Sequence, residues 1–137
     1  MNTAVIGAGS NINAAQNIAR AKEALSREHQ LEKESVFVKT SPIGYSDQPD
    51  FLNGAFLVST ELSFSAFKKY LGGLENRLGR VRTGNKYGPR SIDLDIVVWN
   101  GKIVNSDFYE RDFVRKAAEE VLPLKYRKFG PDAKRDV

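Results

Sequence analysis

Cysteine is absent from the 137-residue chain, so no disulfide, thiolate zinc site or cysteine nucleophile is available to it. Histidine occurs once, at His29, which excludes any site that needs two imidazoles. A Ser-His-Asp triad is arithmetically open, yet no serine sits in a nucleophile elbow. Metal chemistry would have to use oxygen ligands, which favours magnesium or manganese. No GxxxxGK[ST] run is present, so a P-loop is excluded. No run approaches membrane-spanning length, and the N-terminus lacks a charged region followed by a long apolar stretch. The expectation is a cytoplasmic protein with no membrane partner.

What is there reads as one ordinary globular domain over residues 1–137, with 41% apolar and 28% charged residues. From about residue 124 onward a basic tail is expected to be loosely ordered. The net charge of +4 is concentrated at residues 77–90 and 125–135. An anionic partner fits this distribution, and a nucleic acid is not required by it.

Along the chain, TAVIGA (3–8) predicts a short buried strand. Asn11 or Asn13 is placed to cap a helix over 14–27, where Ile18, Ala21 and Leu25 recur at helical spacing. SVFVK (35–39) predicts a strand, and SPIGYSDQPDFLN (41–53) a long loop of functional length. GAFLVSTE (54–61) predicts another strand. A helix over 64–78 follows, capped by Ser63, with Phe64, Phe67, Leu71, Leu74 and Leu78 on one stripe. A second loop, 79–90, leads to a strand at 91–99. Asn100-Gly101 signals a hairpin returning through Ile103 and Val104, and a last helix is expected over 108–121. The order β-α-β-β-α-β is that of an α+β, ferredoxin-like antiparallel sheet with helices on one face, here extended by a C-terminal hairpin and helix. The opposite face would be free to carry a site.

The strand at 91–99 carries the sharpest chemical signal. Ile92, Leu94, Ile96 and Val98 alternate towards a core, which sets Asp93 and Asp95 side by side on the other face. Paired carboxylates repel unless a cation lies between them, and aspartate is disfavoured in strands. Upstream, Arg80, Arg82, Lys86 and Arg90 cluster with Gly79, Gly84 and Gly88. Arginine forks suit phosphate oxygens, and glycines let a loop close on an anion. Carboxylates for a hard metal beside arginines for phosphate point to a nucleotide phosphate site. In the 41–53 loop, Phe51 and Asn53 read either as core and cap or as a stacking face and an amide for a heterocycle edge. In VIGAGSNI, Gly7 and Gly9 have dinucleotide-fingerprint spacing, but Ile12 stands at the third glycine position, so the glycines are read as a tight turn. His29, between Glu28 and Gln30, is expected to be exposed.

The motifs GSN (9–11), TSPIG and DQPDFLN (40–53), LGRVR (78–82) and above all YGPRSIDLDIV (87–97) together resemble the 6-hydroxymethyl-7,8-dihydropterin pyrophosphokinase family. The resemblance covers most of residues 1–104. It implies a ferredoxin-like fold and ATP-dependent transfer of pyrophosphate to the pterin hydroxymethyl group in folate biosynthesis, with release of AMP. It also implies that Asp93 and Asp95 bind two magnesium ions and that Arg80, Arg82 and Arg90 serve a flexible loop and the phosphates. Tyr87 would close over the pterin, Phe51 would stack on it and Asn53 would read its edge. Thr40, Ser41, Pro42, Ile43 and Gly44 would supply backbone contacts, and Glu75 would lie near the nucleotide.

The chain departs from the family's pattern after the aspartate strand. A Pro-His pair usual in the family is missing from SDFYERDFVRK, and with it an expected ATP phosphate contact. Arg111 and Phe113 match the later Arg-x-Phe run, which makes Phe113 a second stacking partner and Arg111 a nucleotide contact. Arg115, Lys116 or the basic tail are candidates to compensate. A homologue that binds pterin or nucleotide with little turnover, or with another acceptor, is the alternative. A small RNA-binding module ranks last, because no aromatic run marks TAVIGA or GAFLVST.

Overall fold

Residues 2–10 and 51–60 pair antiparallel along their whole length, from Asn2 opposite Thr60 to Ser10 opposite Leu52, and this ladder is the axis of the molecule. The computed structural model describes residues 1–44, 47–80 and 90–126. The elements are β1 (Asn2–Ser10), α1 (Ala14–Glu28), β2 (Gln30–Glu34), β3 (Val38–Thr40), β4 (Phe51–Thr60), α2 (Phe64–Arg77), β5 (Asp93–Trp99), β6 (Lys102–Ile103), α3 (Asp107–Glu110) and α4 (Asp112–Val121), then a 3-10 turn at Leu124–Tyr126. The sheet runs β2-β4-β1-β5-β6, with β3 also on β4, and every pairing is antiparallel. This is the ferredoxin-like arrangement. No helix among the described residues is long and apolar enough to cross a membrane.

On one face, Ala4, Ile6 and Ala8 of β1, Phe56 and Val58 of β4, and Leu94 and Ile96 of β5 meet Ile18, Ala21 and Leu25 of α1 and Phe67, Leu71 and Leu74 of α2. The helical stripes expected from sequence are the ones buried here, except for Phe64, which is exposed at the start of α2 and stands edge-on to Trp99. Ser63 caps α2, its hydroxyl accepting from the Ala66 N–H. At α1 the N-cap residue is Asn13, in a left-handed conformation and without a side-chain cap bond. Asn11 does other work, described below.

The second face is not wholly free, as the sequence suggested. Val5, Ala55, Leu57, Val97 and Val98 meet Phe108, Ala117, Ala118 and Val121 there in a smaller core. Val98 joins this core rather than the first. The pairing of β1 with β5 steps from Val5–Val98 to Ile6–Ile96, so Val97 is an extra residue in a bulge. The bulge turns two consecutive valines to one face and returns Trp99 to the other.

The strand expected at 35–39 is instead two short edge strands, β2 and β3, with Ser35 between them. Its N–H donates to the Ala55 carbonyl (2.9 Å), and its hydroxyl accepts from the Ala55 N–H (2.8 Å). Backbone pairing along β4 suffices at an edge, so the charged run QLEKE qualifies without an apolar pattern. The last helix is also broken, at Arg111, whose backbone is extended. A continuous helix with Val114, Ala117, Ala118 and Val121 inward would turn Asp107, Glu110 and Arg111 inward too. The break lets Phe108 enter the second core instead. The hairpin turn is as read, with Asn100 and Gly101 both at positive φ (50° and 84°). Leu124–Tyr126 form an ordered turn at the start of the expected tail; residues 127–137 lie outside the described ones.

Candidate active site

Where α4 stops covering the second face, the sheet residues change from apolar to small and polar. Gly7 and Gly9 of β1, Asn53 of β4, and Asp93 and Asp95 of β5 share that uncovered end. Thr40, Ser41 and Ile43 bound it on one side of the chain, and Asn105, Asp107, Arg111, Phe113 and Val114 close it from α3 and α4. The result is a cleft of about 250 Å³. Phe51 and Asn53 belong to β4 rather than to the preceding loop, so a strand fixes their directions.

The polar groups are oriented by specific bonds. Asn53 Nδ2 donates to Thr40 Oγ1 at 2.6 Å. Its Oδ1 lies over Gly9, where any Cβ would run into it. The amide therefore keeps a carbonyl and one N–H for a ligand, and Gly9 is there because the neighbouring strand's side chain needs the space. Asn11, 6% exposed, donates from Nδ2 to Gln48 Oε1 (2.7 Å) and to the Pro49 carbonyl (3.1 Å), while its Oδ1 accepts from the Arg90 N–H (2.8 Å). One buried side chain thus ties the segment before β4 to Arg90, just ahead of β5. Ser10 adds a bond from its hydroxyl to the Ser91 carbonyl at 2.6 Å.

Charge in the cleft is unbalanced. Arg80 Nη1 donates to Glu75 Oε2 and to Asp93 Oδ1, both at 2.8 Å, while its Nε is buried without a partner. Glu75, 4% exposed, also accepts from the Leu94 N–H (2.8 Å), so it lies beneath the strand and not on the cleft wall. Among the described residues, no arginine forms an ion pair with Asp95. Asp95 remains exposed to solvent in the cleft, yet partial loss of hydration against the cleft walls, then the fields of Asp93, Glu75 and Asp107, push its pKa up to about 7, against the smaller opposing pull of Arg80.

Asp93 and Asp95 are hard oxygen donors one strand step apart, and no third His, Cys, Asp or Glu among the described residues completes a cage around them. That donor set suits magnesium, which is held by one or two carboxylates and takes further oxygens from water and phosphate. The cost of an unmatched Asp95 carboxylate is what a cation there would relieve.

The structure brings together Thr40, Ser41, Ile43, Phe51, Asn53, Arg90, Asp93, Asp95, Arg111 and Phe113 of the expected residues. Pro42 and Gly44 flank the cleft without lining it, and Glu75 and Arg80 stand behind Asp93. Arg82 and Tyr87, with Gly84, Lys86 and Gly88, lie outside the described residues. Arg115 pairs with Asp112 (3.2 Å) and is not on the cleft wall; Lys116 lines a neighbouring groove with Val36, Val38 and Glu120. His29 is half-buried rather than exposed, edge-on to Phe67 and Tyr70 at 5.2 and 4.3 Å, and burial lowers its pKa. Sequence reasoning missed Asn11 as a clamp and Asn105 and Asp107 as wall residues. Only the i,i+4 spacing of Asp107 and Arg111 was a signal for the latter.

The chain matches, over residues 5–123, the profile of a family described as 7,8-dihydro-6-hydroxymethylpterin-pyrophosphokinase. It is 35% identical over 139 residues to a 2-amino-4-hydroxy-6-hydroxymethyldihydropteridine pyrophosphokinase of Haemophilus influenzae, covering 90% of this chain and 86% of that one. The protein of the same name from Bacillus subtilis is 34% identical over 131 residues, with 88% and 78% covered. A folic acid synthesis protein of Dictyostelium discoideum is 34% identical over 131 residues, which are 89% of this chain but 20% of that much longer one.

Proposed function

The chain belongs to the 7,8-dihydro-6-hydroxymethylpterin-pyrophosphokinase family, and on that premise we propose that it transfers pyrophosphate from ATP to the hydroxymethyl group of 6-hydroxymethyl-7,8-dihydropterin, a step of folate synthesis that releases AMP. The observation that carries this reading is one cleft combining a carboxylate pair with an aromatic-plus-amide wall. Phe51 and Phe113 offer flat apolar faces for a bicyclic ring, and the Asn53 amide, set by Thr40, offers a donor and an acceptor for its edge.

Asp93 and Asp95 would hold magnesium, and two ions are expected. Bound there, the metal would neutralise phosphate charge and lower the pKa of the attacking hydroxyl. Arg90 and Arg111 contribute fixed positive charge on the cleft wall, and Arg80 is stationed at Asp93. The acceptor oxygen would attack the β-phosphorus, the bond from that phosphorus to the α-phosphate oxygen would break, and AMP would leave. Among the described residues no conventional general base lines the cleft, so the hydroxyl proton would pass to water, and the protein's share of the catalysis is positioning and charge compensation.

The test is AMP release from ATP with magnesium, with and without the pterin. Pterin-dependent AMP with no ADP is expected. ADP, or AMP formed equally without pterin, would overturn the proposal; tight binding of both ligands with no product would mark a binding homologue instead.

A further inference from the structure

The segment between the hairpin and α4 brings an acidic residue into a cleft proposed to hold phosphates, which calls for a physical reason. Asp107 lines the cleft with Arg111, Asp93 and Asp95. Its Oδ1 accepts from Arg111 Nε at 3.2 Å. Its own N–H donates to Asn105 Oδ1 at 2.9 Å. The next residue, Phe108, is 2% exposed and seated in the second core, so the short helix is pinned to the sheet. The Arg111 backbone is extended at the break between α3 and α4, which starts its side chain from a position no continuous helix would supply.

We propose that Asp107 is a positioning residue for nucleotide binding: it grips Arg111 by Nε and leaves the two terminal nitrogens of the guanidinium for a pair of phosphate oxygens. The inference rests on the transfer reading above for the identity of the anion. An arginine already held in one rotamer loses less side-chain entropy on binding, and its planar fork is worth most when its direction is set. The device is local to the segment between β6 and α4. A carboxylate whose only effect were its own charge would do the opposite and repel the phosphates, so the sign of its removal decides the matter.

The full-length chain is titrated calorimetrically with magnesium and α,β-methylene-ATP, as wild type, Asp107→Ala, Arg111→Ala and the double variant, each checked by circular dichroism and melting. Each single variant is expected to weaken binding about tenfold, and the double variant no more than either. Asp107→Asn keeps an acceptor oxygen and the volume, and is expected to lose only roughly threefold. In turnover, KM for ATP should rise in Asp107→Ala while KM for the pterin stays put. Tighter or unchanged nucleotide binding in Asp107→Ala, or additive losses in the double variant, would overturn the proposal. Wild-type protein that binds no nucleotide overturns both this inference and the transfer reading. Binding that responds to Asp107 without pterin-dependent AMP overturns only the latter.

Discussion

The two faces of one sheet, built from the same three long strands, follow different rules. On the face towards α1 and α2, the inward positions of β1, β4 and β5 are apolar apart from Ser10 and Thr60 at the strand ends, with no charged group among them. On the other face the same strands begin with Val5, Leu57 and Val97 and end with Gly9, Asn53, Asp95 and Asp93. Because side chains alternate, the cleft face gains its glycines and aspartates without removing one side chain from the main core. A continuous core behind the strands holds the carboxylates in place against their mutual repulsion. Fold and site are therefore separable by face, and substitutions should divide the same way.

The sharpest way to break that division is Asp95→Ala. Turnover should fall by about a thousandfold or more, since charge compensation at the reacting phosphates is lost. The melting temperature of the metal-free protein should hold or rise, because an unmatched carboxylate disappears. Activity within tenfold of wild type in an AMP-release assay would remove Asp95 from the metal site. The converse substitution is Phe67→Ala on α2, at a fully buried position. Urea unfolding should show a loss of about 3–5 kcal/mol. Activity per folded molecule should stay within about twofold; a collapse of kcat in protein still folded would mean that the faces are coupled.

Much of this division was legible in the sequence, and the omissions have physical causes. The period-3.6 stripes of α1 and α2 and the alternation around Asp93 and Asp95 are local, repeated signals, and they read correctly but for Phe64, which sits in the first turn of α2 and stays exposed. Val98 was assigned to the wrong face because a bulge shifts register by one residue, and Val97-Val98 looks the same either way. QLEKE went unread as a strand because an edge is held by backbone bonds and needs no apolar pattern. Asn11 was given a cap's role because asparagine after a strand suits caps; its real partners, Gln48, Pro49 and Arg90, are 37 to 79 residues away. Phe51 and Asn53 were read as loop residues, although the types proposed for stacking and edge recognition are those that line the cleft. Residue type survives an error of element; partnership across the sheet does not show in sequence.

The smallest effects sharpen the comparison through pH, where the two faces should give slopes of opposite sign. Outside the main core, Glu28 at the end of α1 accepts two bonds from Arg77 (2.8 and 2.9 Å) and one from the Tyr70 hydroxyl (2.6 Å). Arg77 first and Tyr70 second bring its pKa down from 4.5 to about 2. A lowered carboxylate stabilises the fold above its unfolded pKa, so this contribution should be complete above about pH 4.5 and lost as pH falls towards 2. Asp95 runs the other way. Its folded pKa near 7 exceeds the unfolded 3.8, so the folded chain holds the extra proton between them. Without metal, stability should fall as pH rises across that window. Subtracting Glu28→Gln and Asp95→Asn melts from wild type, in chelator, isolates each group from the His29 titration, which burial also shifts. The Glu28 difference should be modest, because Glu28 and Arg77 are partly solvent-exposed and salt screens them. Saturating magnesium should abolish the Asp95 slope and leave the Glu28 slope alone. A metal-free Asp95 difference that rises with pH would show that the cleft already compensates its charge, and the electrostatic case for a cation there would fail.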